Sequence, residues 1–566
     1  MKTPVPALLR WSLLGFVALK LVLVSSEEIQ AFLLPHDDLW HIRAAARAYW
    51  SGEYSWDTLL HLPVYPLFVQ LVNLTGLPLR VGTELVYCVA ACSLALALWR
   101  LGTGAFWALA AALATIFQPA SFQMPNRVGA EVLLAALLMF ALAGSLNWWS
   151  RRGDKSCWRQ ILEASLWWAL AWNVRKESIL LLGVLGCFGL CILLADRKEG
   201  LRTVGRRMLS GVGAPLFLSL AMASGIAAAN HARWGLSATS ILTSPGYKAA
   251  YRALQSIPPE HPLRFISVPV EVRNKAYEAS PRFAKLRPHF EGDIGKSWAG
   301  ISKSSFTDPI GMTGLDEMEI ANGWFYWALH DAVVASGHGK TPAQENEHLQ
   351  KVADQIRKAQ KKGLLGYRWV PVAMLEPDWR LWLPGLPGSL QSVSGFLTTP
   401  SLLPWMVYDD PAAGQIRDIF DQVANRRSSL TSPRKEISGE ADMTEPYTPW
   451  TKMVQFWWEG IYLAAAGWAG WALLLVIPAW AWMAFRGVGL PAYSVAVVVL
   501  GAAVAGRIAF FALLDATAWP AQPRYLYPVM PVYGALLVLA IATVVRAAEE
   551  LRLFIGSNFQ FTSSRS

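Results

Sequence analysis

Two adjacent carboxylates, Asp37 and Asp38, follow a proline and precede a helical pattern, with His41 one turn further on. A lone Asp in that place reads as a helix cap. A second acid beside lipid is costly unless it is paired or used, and with His41 one turn away the pair becomes a candidate for function rather than capping alone. Further on, His61-Leu62-Pro63-Val64-Tyr65-Pro66 bends the chain back toward an apolar run. Glu131 lies inside such a run, where an acid is a functional candidate by default; pairing with Arg127, one turn earlier, is the structural alternative. Arg175-Lys176-Glu177 and Arg524-Tyr525 stand at the ends of apolar runs. There they could hold a phosphate or simply anchor helix ends among lipid headgroups.

The elements that must position these groups are membrane spans. Of 566 residues 54% are hydrophobic and 16% charged, against roughly 25% charged in a soluble domain; mean hydropathy is +0.31. A bilayer core needs about 20 mostly apolar residues per helix. On that basis ten spans are expected, near Leu9–Val24, Val81–Leu101, Gly104–Phe122, Val128–Trp148, Ile161–Asn173, Ser178–Leu194, Met208–Ala229, Ile461–Phe485, Pro491–Leu514 and Tyr527–Val545. The fifth is short. With a cytosolic N-terminus, the basic clusters Arg151–Arg159 and Arg197–Arg207 fall inside, as the positive-inside bias requires. Every motif above then faces away from the cytosol.

The net charge of +10 is accounted for by those inner loops and implies no nucleic-acid partner. The 5 cysteines all lie in or beside apolar runs, which argues against a disulfide framework. Three regions follow: a transmembrane module over 1–229 with its first outside loop at 27–80, an extracytoplasmic domain over 230–457, and C-terminal spans with a cytosolic tail over 458–566. Helical spacing of Tyr247, Tyr251 and Leu254, and of Leu349, Val352, Ile356 and Ala359, predicts a mainly helical extracytoplasmic domain. Ala321–Leu329 reads as a buried or interfacial helix, too short to span. Pro384–Pro400 reads as a connector and Ser428–Pro449 as a polar linker. Leu39, Ile42, Ala46 and Trp50 form the apolar stripe of a helix lying along the membrane surface.

An N-terminal span, an outside Asp-Asp before an amphipathic helix, and His-x-Pro-x-Tyr-Pro leading to the next span resemble the GT-C glycosyltransferases, above all the protein O-mannosyltransferases and the lipid A aminoarabinose transferases. In that resemblance Asp37 and Asp38 match the acidic pair, and His61, Pro63 and Pro66 the turn. Arg175-Lys176 matches a basic hairpin tip, Arg524-Tyr525 a late pair, and Glu131 an acid early in the fourth span. It extends over about Leu9–Leu194 and Asp515–Val545 and leaves 230–457 uncovered. Leu62 replaces an expected proline, and the second acid is Asp where Glu also occurs.

The resemblance implies an α-helical polytopic membrane protein of GT-C-like architecture that moves a sugar from a polyprenyl-phosphate carrier to an acceptor hydroxyl. The acceptor would be a glycan, a lipid or a protein, reached from the extracytoplasmic face of a cytoplasmic (inner) membrane. Asp37 would be the general base, with Asp38 orienting it or the two together holding Mg²⁺ or Mn²⁺. His41, His61, Glu131, Arg175, Lys176, Arg524 and Tyr525 would bind substrate. A transporter or lipid flippase would instead place charges at mid-membrane in paired broken helices, and a non-catalytic scaffold would use the acidic pair as caps.

Overall fold

The apolar runs fold as helices wherever no proline or glycine interrupts them. The computed structural model describes residues 5–31, 37–47, 49–55, 57–154, 157–305, 317–398, 413–426, 428–430 and 449–563. The first membrane half contains α1 (Ala7–Val24), α2 (Asp37–Ala46), α3 (Val64–Leu74), α4 (Leu79–Leu98), α5 (Ala105–Ile116), α6 (Ala120–Gln123), α7 (Ala130–Ser150), α8 (Trp158–Trp172), α9 (Ile179–Ala195), α10 (Leu201–Met208) and α11 (Ala214–Trp234). Among the described residues of the whole chain, eight helices are long and apolar enough to cross a membrane, including α1, α7 and the continuous Leu201–Trp234 rod. The chain is an α-helical polytopic membrane protein.

Two of the ten expected spans depart from that length. Pro119 interrupts the third, so α5 and α6 meet at a bend of 49°. The fifth, α8, has 15 residues, roughly 22 Å at 1.5 Å per residue. Ion pairs near its two ends mark the two sides of the bundle. Beyond its end, Arg175 pairs with Glu131 at the start of α7 (2.6 Å). At the other end, Arg152 beyond α7 and Arg207 on α10 both reach Asp196 beyond α9, at 3.5 and 2.8 Å. The helix ends therefore sort into a face carrying the expected site and an opposite face carrying the basic clusters. Gly102 and Gly104 make the sharp turn from α4 to α5 on the opposite face with φ of 86° and 85°, values open to glycine at little cost.

The long insert is helical, as its spacing predicts: α12 (Pro245–Gln255), α13 (Val270–Ala279), α14 (Pro281–Ala284), α15 (Arg287–Phe290), α16 (Asp293–Ser305), α17 (Asn322–Ala335), α18 (Pro342–Lys361), α19 (Trp379–Trp382), α20 (Leu386–Gly395) and α21 (Ala413–Ala424). The expected buried helix at Ala321–Leu329 is α17, whose Phe325, Ala328 and Leu329 face its core. The expected connector Pro384–Pro400 contains α20, which starts with Pro387 in its first turn, a place where proline's missing N–H does no harm. Most of the expected linker Ser428–Pro449 lies outside the described residues; its Ser429–Leu430 pairs in parallel with Gln30–Ala31. The chain closes with α22 (Pro449–Phe485), α23 (Ser494–Thr517), α24 (Pro523–Leu526) and α25 (Met530–Ser563).

The insert is fastened to the end of α23. Asn322 donates to the Thr517 carbonyl (2.9 Å), and the N–H of Gly323 to that of Ala518 (3.4 Å). A Cβ on Gly323 would lie 2.1 Å from the Trp519 ring, so this close approach depends on glycine. Gly323→Ala is expected to destabilise the protein by roughly 1–3 kcal/mol through overpacking, read as a lowered melting temperature in detergent.

A pH effect comes from the same domain. His348 on α18 is buried and stacked on His338 (4.2 Å between ring centres), with Arg282 and Lys285 close by. Burial first, then those neighbouring charges, push its imidazole down to about 4. The unfolded chain, with an ordinary His near 6.5, binds a proton that the folded chain refuses. Stability should therefore fall as pH drops from about 6.5 toward 4. His348→Gln should flatten that part of a melting-temperature profile.

Candidate active site

Helix α2 carries the acidic pair and sits between two cores rather than flat on lipid. Leu39, Ile42 and Ala45 pack into the transmembrane core, while Trp40 joins the core of the insert with Tyr49, Leu59 and Leu60. The expected stripe thus changes: Ala45 is buried and Ala46 exposed. Protein covers this helix because α3 and α21 pack against it. Both helices that pack there are apolar on that side, which satisfies the stripe without lipid.

Asp38 is buried and its Oδ1 accepts a hydrogen bond from Arg127 Nη2 at 2.6 Å. The Asp37 side chain lies outside the described residues. His41, one turn along α2, packs its ring against His61 (4.3 Å between centres) and edge-on to Tyr65 (4.7 Å). Tyr65 in turn lies beside the Gly129 backbone and within electrostatic reach of Asp38, Glu131 and Arg127. The turn at His-x-Pro-x-Tyr-Pro therefore brings the Tyr65 side chain within electrostatic reach of the acid and lays the His61 imidazole against His41.

Glu131 forms its ion pair with Arg175, while the helical neighbour Arg127 that its spacing suggested reaches Asp38. Arg175 also forks onto Glu177, with both contacts at 2.8 Å. Its charge is thus shared by two carboxylates. Lys176 points elsewhere, its Nζ 5.3 Å from the centre of the Trp327 ring. Trp327 packs on Trp40 (5.1 Å), and Trp40 on His61 (5.5 Å). An aromatic row thus joins the basic tip to the histidines.

Arg524 donates to Gln522 Oε1 (2.8 Å) and lies over the Tyr525 ring at 5.1 Å. Tyr525 stacks on Phe511 (5.1 Å), and its carbonyl accepts from Arg507. Arg507, on α23, lies within electrostatic reach of Glu177, Arg175 and Glu131. It is the link between the late Arg-Tyr pair and the rest, and sequence reasoning passed over it. The signal was present: a single arginine inside a long apolar run, which lipid does not tolerate without a partner.

No family model and no curated protein sequence matches this chain. Two solved structures of ArnT from Cupriavidus metallidurans align with it, one in the apo state and one bound to undecaprenyl phosphate. They align with 96% and 95% of this chain and with 78% of theirs, at 14% and 13% identity and TM-scores of 0.32 and 0.31. Scores that low establish no shared fold. The residues themselves carry the reading.

A second buried network lies behind the first. Arg80 at the start of α4 donates to Glu27 (3.0 and 3.1 Å), to Glu84 and to the Asn126 side chain. Lys20 near the end of α1 donates to Ser121 (2.8 Å) and stands 3.8 Å from Glu84. Two cations and two anions cancel, as burial demands. Asn126 adjoins Arg127, so this network holds the turn that presents Arg127 to Asp38. Chemically, the whole arrangement offers a fixed carboxylate with imidazole and phenol neighbours, ringed by cations on one face of the membrane.

Proposed function

We propose that this chain is a membrane glycosyltransferase that moves a sugar from a polyprenyl-phosphate carrier to an acceptor hydroxyl on the extracytoplasmic face. The observation that carries the reading is the buried Asp38–Arg127 pair, placed with His41, His61 and Tyr65 on the same face as the Glu131–Arg175–Glu177 group. The GT-C resemblance of the sequence motifs, which rests on the same residues, agrees with it.

In this mechanism Asp37, at the N-terminus of α2, takes the proton of the acceptor hydroxyl as its oxygen bonds to the anomeric carbon. Asp38, fixed by Arg127, sets the position of that helix end. The bond to the carrier phosphate breaks, the phosphate leaves as an anion, and no general acid is needed. Lys176, Arg524 and Arg507 are the cations that would stabilise it. A single displacement inverts the anomeric configuration.

Asp38 Oδ1 is engaged by the Arg127 guanidinium at 2.6 Å, so a divalent cation held by the acidic pair would have to share that carboxylate with Arg127. The test uses membranes supplied with a labelled polyprenyl-phosphate sugar and candidate acceptors. Asp37→Asn is expected to slow transfer by about 10²–10⁴, and chelation by EDTA to leave the unmodified protein's rate unchanged. Undiminished transfer by both Asp37→Asn and Asp38→Asn would remove the pair from the reaction.

A further inference from the structure

The described surface of the insert is polar over 236–363, where Ile301 alone among large apolar side chains is exposed. Beyond Gly363 the pattern reverses. Leu364, Tyr367, Trp369, Val372 and Trp379 are each more than half exposed within one short stretch. Three are Trp or Tyr, the residues that favour the water–lipid boundary. A water-soluble surface rarely concentrates apolar side chains in this way without a partner.

The attachment of this stretch says what the partner is. On one side Arg368 fixes it to the aqueous domain, donating to the carbonyls of Gln255 (2.8 Å) and Ser267 (3.0 Å) and to Glu376 (3.1 Å). On the other side it enters the transmembrane body: Val393 and Leu397 are buried in the same core as the spanning helices, and α20 packs along α23. Between these anchors, Gly385 lies against Arg264, which reaches the carbonyl of Ala516 at the site-face end of α23 (3.4 Å). The exposed aromatics thus lie where the chain passes from the water-facing domain to α20, which packs along the spanning helix α23. Arg380, whose guanidinium sits 5.7 Å from the Trp379 ring centre, adds a cation of the kind that meets lipid phosphates.

We propose that residues 364–383 form a lipid-binding strip, with Tyr367, Trp369 and Trp379 inserted at the headgroup level of the site-face leaflet. The strip sets the height at which the insert stands over the membrane. It needs no catalysis, so its fate is separate from that of the glycosyltransferase reading.

The test places single nitroxide-labelled cysteines at 369 and 379, and at the water-facing position 358, in full-length chain whose five native cysteines are replaced. The protein is reconstituted in vesicles of phosphatidylcholine and phosphatidylglycerol. The ratio of collisions with oxygen to collisions with a water-soluble nickel chelate is expected to be severalfold higher at 369 and 379 than at 358. Equal ratios would overturn the proposal. Shielding from both reagents would also overturn it, because protein rather than lipid would then cover the strip. If the cysteine-free chain does not fold, a photoreactive benzophenone amino acid at 369 or 379 in the native background supplies the readout. Phospholipid adducts support the strip, and protein–protein adducts alone refute it.

Discussion

Arg127→Gln is expected to abolish transfer and to destabilise the protein by about 3–5 kcal/mol, because it leaves the Asp38 carboxylate charged in a buried site. Both side chains are almost wholly out of solvent and meet at 2.6 Å. Asp38→Asn alone removes the carboxylate charge that the Arg127 guanidinium meets at 2.6 Å. The double variant Asp38→Asn/Arg127→Gln removes both charges while keeping two groups that can bond to each other, so most of the lost stability should return without activity. That split between melting temperature and turnover separates a role in the reaction from a role in folding. A single Arg127→Gln variant that melts like the unmodified protein would show that the carboxylate is not buried against it.

Arg80→Leu should be about as destabilising, again on the order of 3–5 kcal/mol. It leaves Glu27 and Glu84 without the guanidinium they share and removes the donor to Asn126. Arg80→Lys should fall between, since an ammonium is a point charge and cannot bond to three divergent acceptors as the planar fork does. Because Asn126 adjoins Arg127, transfer by the lysine variant should drop further than its melting temperature. A lysine variant with full activity would disconnect this network from the site.

The membrane helices were legible because their signal is local: length and apolar composition alone mark α1, α4, α7, α9 and α23. The bend at Pro119 was legible in principle, since proline removes a helix hydrogen bond. The ion pairs were not. Spacing of four residues suggested Arg127 with Glu131, whereas the fold pairs Arg127 with Asp38, 89 positions away, and Glu131 with Arg175. A carboxylate's partner in a low-dielectric site is decided by which helices meet, and that information is spread over the whole chain. The charges at Lys20, Glu84 and Arg507 could have been found by asking what each ionisable residue in an apolar run must touch. The stripe of α2 failed for a related reason: periodicity shows that a face is apolar, not whether protein or lipid covers it.

The shortness of α8 has a consequence for the surrounding bilayer. Trp158, Leu162 and Leu166 recur at one-turn intervals on its outward side, yet the helix is roughly 22 Å long against a hydrocarbon thickness of about 30 Å. Lipids beside it must compress or tilt to match. The annulus next to α8 is therefore expected to be a dimple whose depth varies with acyl-chain length, and the Arg175–Lys176 tip at the helix end should ride up or down with the membrane in which the protein is placed.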